Sequence, residues 1–219
     1  MKTISSVVEN YIKTKPFLLN ALSEGIINLT SLSRNMMPEL EQELGKEVKQ
    51  GAVVMALKRM SEELDFQLNH KILKVLKNIG EITVRSSLID FTFSVSDTIL
   101  DKQATLISEI NKQNGIFYTS SRGVNETNIV VSDSVGHLVE LYFANEKLIQ
   151  KLENLASITV KLPKENISIP GIYYFIFQRL AWEGIIINEV ISTSNEFTIL
   201  VSEEEVDVAF KVIKDLKNL

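Results

Sequence analysis

Ile169-Pro-Gly-Ile-Tyr-Tyr-Phe-Ile-Phe-Gln-Arg-Leu-Ala-Trp-Glu-Gly-Ile-Ile-Ile-Asn-Glu-Val-Ile-Ser-Thr-Ser194 joins a helix start, a helix, a stop and a buried strand in one run. Proline suits the first turn of a helix, where its missing N–H would be an orphan in any case. Gly171 has no Cβ and tolerates a close approach to the backbone. The helix is expected over Pro170 to Glu183, with Gly184 as its stop, and the β-branched run after it reads as a strand over Ile185 to Thr193. Working outward, Ser157 to Leu162 is a strand and Glu196 to Ser202 the hairpin partner. Glu203 to Leu216 is a last helix with Val206, Ala209, Phe210, Ile213 and Leu216 on one face. Ser202 and Glu205 stand at capping-box spacing.

The same order of elements appears upstream. Ile82 to Arg85 and Leu88 to Val95 read as strands, and Asp101 to Asn114 as a helix with Ala104, Ile107, Ser108 and Ile110 to one side. Gly115 ends it, Ile116 to Ser120 follows as a strand, Arg122 to Glu126 turns, and Thr127 to Ser132 pairs back. Ser134 to Leu155 has no clean period; a helix over Asn145 to Asn154 is expected there, preceded by helix or strand. Two βαββα stretches at a period of about 70 residues point to an old duplication. They imply two small antiparallel sheets with helices on one side, an α+β fold. The second stretch runs out of chain before a fourth strand, and Ile82 to Arg85 is the spare strand that can cover its open edge.

Residues 1 to about 66 read as helical. Helices are expected over Ser5 to Thr14, from Pro16 to near Gly25, from Leu29 to Met36 capped by Asn28, and from Glu47 to Leu64, with Pro38 restarting or kinking the chain and Gly45 as a left-handed stop. Val53, Leu57, Met60 and Leu64 recur on one face of the last helix. Its order with Leu29 to Met36 is that of a helix-turn-helix with a long connection, in which Lys46, Lys49, Gln50, Lys58 and Arg59 are the side chains able to meet phosphates or base edges. Glu47, Glu62 and Glu63 lie in the same region and favour the plainer reading of a solvated face. The expected divisions are 1–70 (helical), 71–155 and 156–219.

Residues 157 to 217 resemble the last ACT domain of aspartokinases. The resemblance is carried by Pro170-Gly171-Ile172, Leu180-Ala181, Glu183-Gly184-Ile185, Ile187-Asn188, Ile191-Ser192-Thr193-Ser194 and Glu203 to Val206, with Asn195 as a departure that would lengthen the hairpin turn. The upstream stretch resembles it less, since Ser96-Asp97-Thr98 stands where Pro-Gly is expected. In the aspartokinase regulatory region one ACT unit is inserted into the other, so the resemblance implies tandem ferredoxin-like βαββαβ units, interleaved. No stretch resembles the Lys-Phe-Gly-Gly start or the nucleotide-binding portion of the kinase. With Leu22 to Arg34 and Gly45 to Arg59, the arrangement is similar to predicted regulators of amino acid metabolism that carry an ACT domain. That resemblance implies an allosteric transcriptional regulator with a small amino acid effector, a homodimer and DNA as a partner. A regulatory subunit or protein-interaction module that never touches DNA is the alternative.

An amino acid needs donors for its carboxylate and acceptors for its ammonium. The helix start at Pro170, Gly171 and Ile172 supplies free N–H groups and a positive dipole end. Asn188, Glu189, Ile191 and Ser192 offer acceptors. The plainer reading is that Pro-Gly only starts a helix and Asn188 only satisfies a turn.

Composition limits the other chemistries. The absence of cysteine excludes disulfides, thiolate metal sites and a thiol nucleophile. His70 has no carboxylate pair nearby in sequence, His137 follows Gly136 in the stretch without a clean period, and Asp133-Ser134 with His137 lacks a nucleophile-elbow pattern, so no catalytic residue, cofactor or metal is expected. Glu203-Glu-Glu205 is better read as acidic residues at a helix start than as a metal site. A net charge of −5 opposes indiscriminate polyanion binding. No apolar run nears the ~20 residues of a membrane span, and no secretory signal opens the chain, so a cytoplasmic protein with no membrane partner is expected.

Overall fold

Thr3 starts the first helix through a reciprocal cap. Its hydroxyl accepts the Ser6 N–H at 3.1 Å while the Ser6 hydroxyl accepts the Thr3 N–H at 3.0 Å, which satisfies amides that a helix start leaves orphaned. The structure, a computed structural model, describes residues 2–23, 25–64 and 68–218; it divides into two units, Met1–Leu73 and Lys74–Leu219. The first holds α1 (Ile4–Lys13), α2 (Pro16–Ser23), α3 (Leu29–Leu44), α4 (Gln50–Leu64) and the start of α5 (Leu68–Lys77). Its core is built from Val7, Val8 and Ile12 of α1, Leu32, Met36 and Leu40 of α3, and Val53, Ala56, Leu57 and Met60 of α4. The side chains of Leu64 and His70 lie outside the described residues.

Two expectations change here. α3 does not stop at Met36 but runs through Pro38 to Leu44. Pro38 is exposed, while Met36 and Leu40 on either side of it are fully buried, and that burial outweighs the ~3 kcal/mol an interior proline costs. α4 begins at Gln50 rather than Glu47, because the Val48 N–H donates to the Glu41 carboxylate at 3.1 Å and holds the preceding residues out of the helix. Asn28 caps α3 as expected, accepting the Ser31 N–H at 2.9 Å, and Gly45 ends it at φ 67°.

The second unit contains β1 (Ile82–Ser94), α6 (Ile99–Ile110), β2 (Tyr118–Arg122), β3 (Glu126–Ser132), α7 (Gly136–Tyr142), β4 (Leu148–Lys161), α8 (Ile172–Trp182), β5 (Glu189–Ser192), β6 (Glu196–Ser202) and α9 (Val206–Asp215). The two small sheets expected are instead one: all strands pair antiparallel in a single sheet of order β2-β3-β1-β4-β6-β5, because the long strands β1 and β4 pair along their whole length. Each long central strand serves two neighbourhoods. Leu88–Ser94 of β1 pair with β3, and Ile82–Arg85 pair with Ser157–Val160 of β4. β4 in turn lines up Leu155–Lys161 with β6 and Leu148–Leu155 with the second half of β1. Ser87 (φ 59°) and Asn154 (φ 56°), each one residue before the leucine where the second half of the register begins, are the non-glycine residues with positive φ among the described ones. Glu203 holds both: its carboxylate accepts the Ser87 N–H at 2.5 Å and its own N–H donates to the Asn154 carbonyl at 2.9 Å.

Alternation puts Phe91, Phe93, Ile129 and Val131 on one face, against Ile99, Leu106 and Ile110 of α6 and Val139 of α7. Farther along that face Phe197 meets the rings of Tyr173 and Phe177 from α8 at 5.1 and 5.6 Å. The opposite face gathers Leu88, Val130, Leu155 and Leu200 with Phe117, Leu152 and Ile191. Residues from both ends of the sheet share this cluster, so the sheet curls around it.

Three further expectations are corrected. Asn145 to Asn154 is not a helix: α7 ends at Tyr142 and β4 starts at Leu148. Its Glu, Lys, Leu and Gln residues favour a helix locally, but pairing with Phe91–Phe93 overrides that preference. The buried face of α6 is Ile99, Gln103, Leu106 and Ile110, while Ala104, Ile107 and Ser108 are exposed, because the larger apolar side chains Ile99, Leu106 and Ile110 are the ones that pack on Phe91, Phe93 and Ile129 of the sheet. Ser202 and Glu205 do not form a capping box. α9 begins at Val206, and the Ser202 hydroxyl instead donates to the Glu205 carboxylate at 2.9 Å in the turn before it.

Candidate functional site

The segment between β4 and α8 is shaped by Asn166. Within a 3-10 turn over Lys164–Ser168, its side-chain amide donates to the Pro163 carbonyl at 2.8 Å and to the Ser194 carbonyl at 3.0 Å. That clip joins the approach to α8 with the β5–β6 turn, where Thr193 N–H bonds the Glu196 carbonyl at 2.9 Å, so the hairpin closes over Ser194 and Asn195 alone. Gly171, at φ 92°, stands immediately before α8 in a conformation L side chains resist. The first helical bond runs from Phe175 N–H to the Gly171 carbonyl at 3.0 Å, so the N–H groups of Ile172, Tyr173 and Tyr174 have no partner within the helix. The Tyr173 hydroxyl meets the Ser192 hydroxyl at 2.7 Å and ties α8 to β5. These pieces enclose an open cavity of about 440 Å³, lined by Asn166, Ile167, Ile169 to Tyr174, Thr193 and Ser194.

Of the residues expected at an amino-acid site, Pro170, Gly171 and Ile172 line this cavity, and Ser192 touches its wall through Tyr173. Asn188 is not among the lining residues, and its backbone N–H donates to the Leu200 carbonyl at 2.8 Å. Strand alternation sends Glu189 and Ile191 to the other face. Ile191 packs in the concave apolar cluster, and the Glu189 carboxylate accepts from the Asn128 side chain, whose oxygen in turn accepts from Ser121 N–H and hydroxyl at 3.0 and 2.6 Å. Burial raises the Glu189 carboxyl above its ordinary value. Asp90, also on this face, is 4% exposed, and its Oδ1 has no hydrogen-bond partner. Burial first, and then the charge of Glu189, push the Asp90 carboxyl up to about 6. Sequence reasoning missed Asn166, Tyr173, Tyr174, Thr193 and Ser194; the first three flank the Pro-Gly start, while the last two reach it only through the fold.

At the start of α6, the counterpart of α8 in the element order, the arrangement differs. The Glu146 carboxylate accepts from the hydroxyls of Ser96 and Thr98 at 2.7 and 2.6 Å and pairs with Lys102 at 2.6 Å. Lys102 first, then Thr98 and Ser96, hold it down to about 2.

In the helical unit, Lys46, Lys49 and Lys58 are exposed. Gln50 is engaged internally, donating to the Thr30 carbonyl and the Ser33 hydroxyl, each at 3.2 Å, and Arg59 bonds the Ser5 hydroxyl. Glu203 and Glu205 are used in local ties, and no cluster of three or more acidic, histidine or cysteine residues able to hold a metal occurs among the described residues. No described helix is long and apolar enough to cross a membrane.

No protein-family model matches the chain, and no curated protein matches its sequence. Solved structures do match its fold. The regulatory subunit of aspartate kinase from Thermus thermophilus aligns with 63% of this chain and 97% of its own at 12% identity and a TM-score of 0.51. The alpha and beta subunits of an aspartokinase align over 64% and 99% at 15% identity and a TM-score of 0.51. Clostridium acetobutylicum aspartate kinase aligns over 64% of this chain at 15% identity and a TM-score of 0.53, but this chain spans only 35% of that enzyme. In fold, most of this chain is similar to the regulatory region of aspartokinases, the region whose ACT-type sequence pattern residues 157 to 217 resemble.

Proposed function

We propose that this chain is a regulatory protein that binds a free amino acid in the cavity at the start of α8. In this reading residues 71–155 and 156–219 are two interleaved ACT-type units and residues 1–70 carry the response. The observation that carries it is the cavity itself, which is lined by Ile172, Tyr173 and Tyr174, whose N–H groups have no partner within the helix, and by the left-handed Gly171. Those donors and the helix dipole suit a carboxylate. Asn166 uses its nitrogen twice, which leaves its oxygen to accept from an ammonium. Ile167, 71% exposed, and Tyr174, 41% exposed, offer an apolar wall to the ligand's side chain, so an amino acid with an uncharged apolar side chain is the favoured effector. Binding acts by shifting the population between two arrangements, which requires a ligand that prefers one of them.

The fold likeness to aspartokinase regulatory subunits supports this reading. A thermal-shift panel of the twenty amino acids tests it: a ligand of the folded state must raise the melting temperature by mass action. At least one apolar amino acid is expected to do so at millimolar concentration, and Gly171→Val to abolish the shift. If none of the twenty moves the melt, the chain is not a sensor of this kind.

For the output, engagement of Gln50 and Arg59 within the helical unit favours a protein partner over DNA; Lys46, Lys49 and Lys58 are exposed, as is Arg59, which bonds Ser5. A gel shift on random duplex DNA, repeated with the three lysines changed to alanine, decides between them. Retarded DNA that is released in the triple variant would restore the transcriptional reading.

A further inference from the structure

We propose that Ser96, Thr98 and Lys102 form a carboxylate-binding site that the chain fills with its own Glu146, so that one repeat carries an internal stand-in for a ligand while the other stays open. The inference rests on the reading of the α8 cavity as a ligand site, since it assigns the start of α6 the same task.

The argument begins with position. α6 and α8 are each the helix that follows the first long strand of a βαββα run. Before α8 the chain places Pro170 and the left-handed Gly171 and leaves the helix start facing a cavity. Before α6 it places Ser96 and Thr98, whose backbone makes no left-handed turn and whose hydroxyls both donate to one carboxylate. Lys102, one turn into the helix, adds a charged donor to the same oxygen that Thr98 reaches. Three donors, two neutral and one cationic, converging on one carboxylate is the composition of an anion site, and the positive end of α6 adds to it.

The carboxylate comes from elsewhere in the chain. Glu146 sits in the connection between α7 and β4, close to fifty residues away in sequence, and its side chain is 4% exposed. Its acidity follows, since these donors prefer the charged form and hold the carboxyl near 2. A surface ion pair needs neither burial nor two extra hydroxyls. The pair of repeats therefore divides the labour: one copy is occupied by construction, and a single effector per chain is expected.

Chemical rescue tests this on the full chain. Glu146→Ala removes the stand-in and opens a space the size of a small carboxylate. In 50 mM sodium acetate its melting temperature is expected to rise by about 3 °C over 50 mM sodium chloride. Wild type and Glu146→Gln, whose sites remain filled, are expected to shift by less than about 1 °C. A rise confined to Glu146→Ala supports the site. No acetate-specific rise, or an equal rise in all three chains, overturns it. If Glu146→Ala does not fold in chloride, recovery of the fold by acetate supports the site, and failure to recover overturns it. The amino-acid panel reads separately: a chain that shows acetate rescue but no amino-acid shift loses the α8 ligand and keeps the Glu146 site.

Discussion

Asp90 and Glu146 give the molecule opposite responses to pH, each traceable to what surrounds one carboxyl. Asp90 is raised from 3.8 to about 6 by burial and by Glu189. The folded chain thus keeps a proton that the unfolded chain sheds, so its contribution is full below about pH 4 and is lost as pH rises through 6. Asp90→Asn should flatten that slope and stabilise the protein at pH 7 by up to ~3 kcal/mol, the equivalent of the shift; melts from pH 4 to 8 check it, and an unchanged slope would assign the proton elsewhere. Glu146 runs the other way. Its folded value is about 2 against 4.5, so its contribution is present above 4.5 and disappears as pH falls toward 2. Gln50 shows a third residue-scale effect. Because its amide bonds the Thr30 carbonyl and the Ser33 hydroxyl, Gln50→Ala should cost about 1 kcal/mol of stability by denaturant titration.

At the scale of elements, the two long strands decide the sheet. β1 and β4 pair with each other on both sides of Ser87 and Asn154, the residues with positive φ, and just after these β1 gains β3 and β4 gains β6. Asparagine tolerates that conformation and glycine adopts it freely, whereas a β-branched residue is strained there. Asn154 is exposed and makes no core contact to confuse the result. Asn154→Gly should therefore be nearly neutral and Asn154→Val should cost about 1–2 kcal/mol, measured by urea unfolding; equal costs would mean that the turn of the backbone is not what Asn154 supplies. β4 also shows how an element escapes local reading. Leu148 to Glu153 is rich in residues that suit a helix, yet Lys151 pairs with Glu153 two residues on, the spacing of one strand face, and with Glu140 in α7. What makes the stretch a strand is the backbone of β1 lying beside it.

At the scale of the whole molecule, the two units each own a core, Met36, Leu40 and Leu57 in one and Phe91, Phe197 and Ile213 among those of the other. A fragment beginning at Lys74 should fold with a cooperative melt, because every strand pairing lies within it. A fragment beginning at Ser86 loses Ile82–Arg85 and leaves the Ser157–Val160 edge of β4 without its partner. Such an edge invites pairing between chains. Light scattering of the two fragments at equal concentration should show association only in the shorter one; two monodisperse fragments would mean that these four residues do not protect the edge.

The sequence by itself determined the α+β class and the Pro170-Gly171 helix start, because apolar periodicity, glycine, proline and caps act over a few residues. Pro170, Gly171 and Ile172, which line the cavity, belong to that helix start. Tertiary structure alone decided that the stretch from Leu148 to Asn154 extends β4 and that α3 passes through Pro38. It alone brought Thr193 and Ser194 to Asn166, and Glu146 to Ser96, Thr98 and Lys102. Those outcomes depend on partners tens of residues away, whose backbone pairing and burial outweigh the preferences of any local stretch.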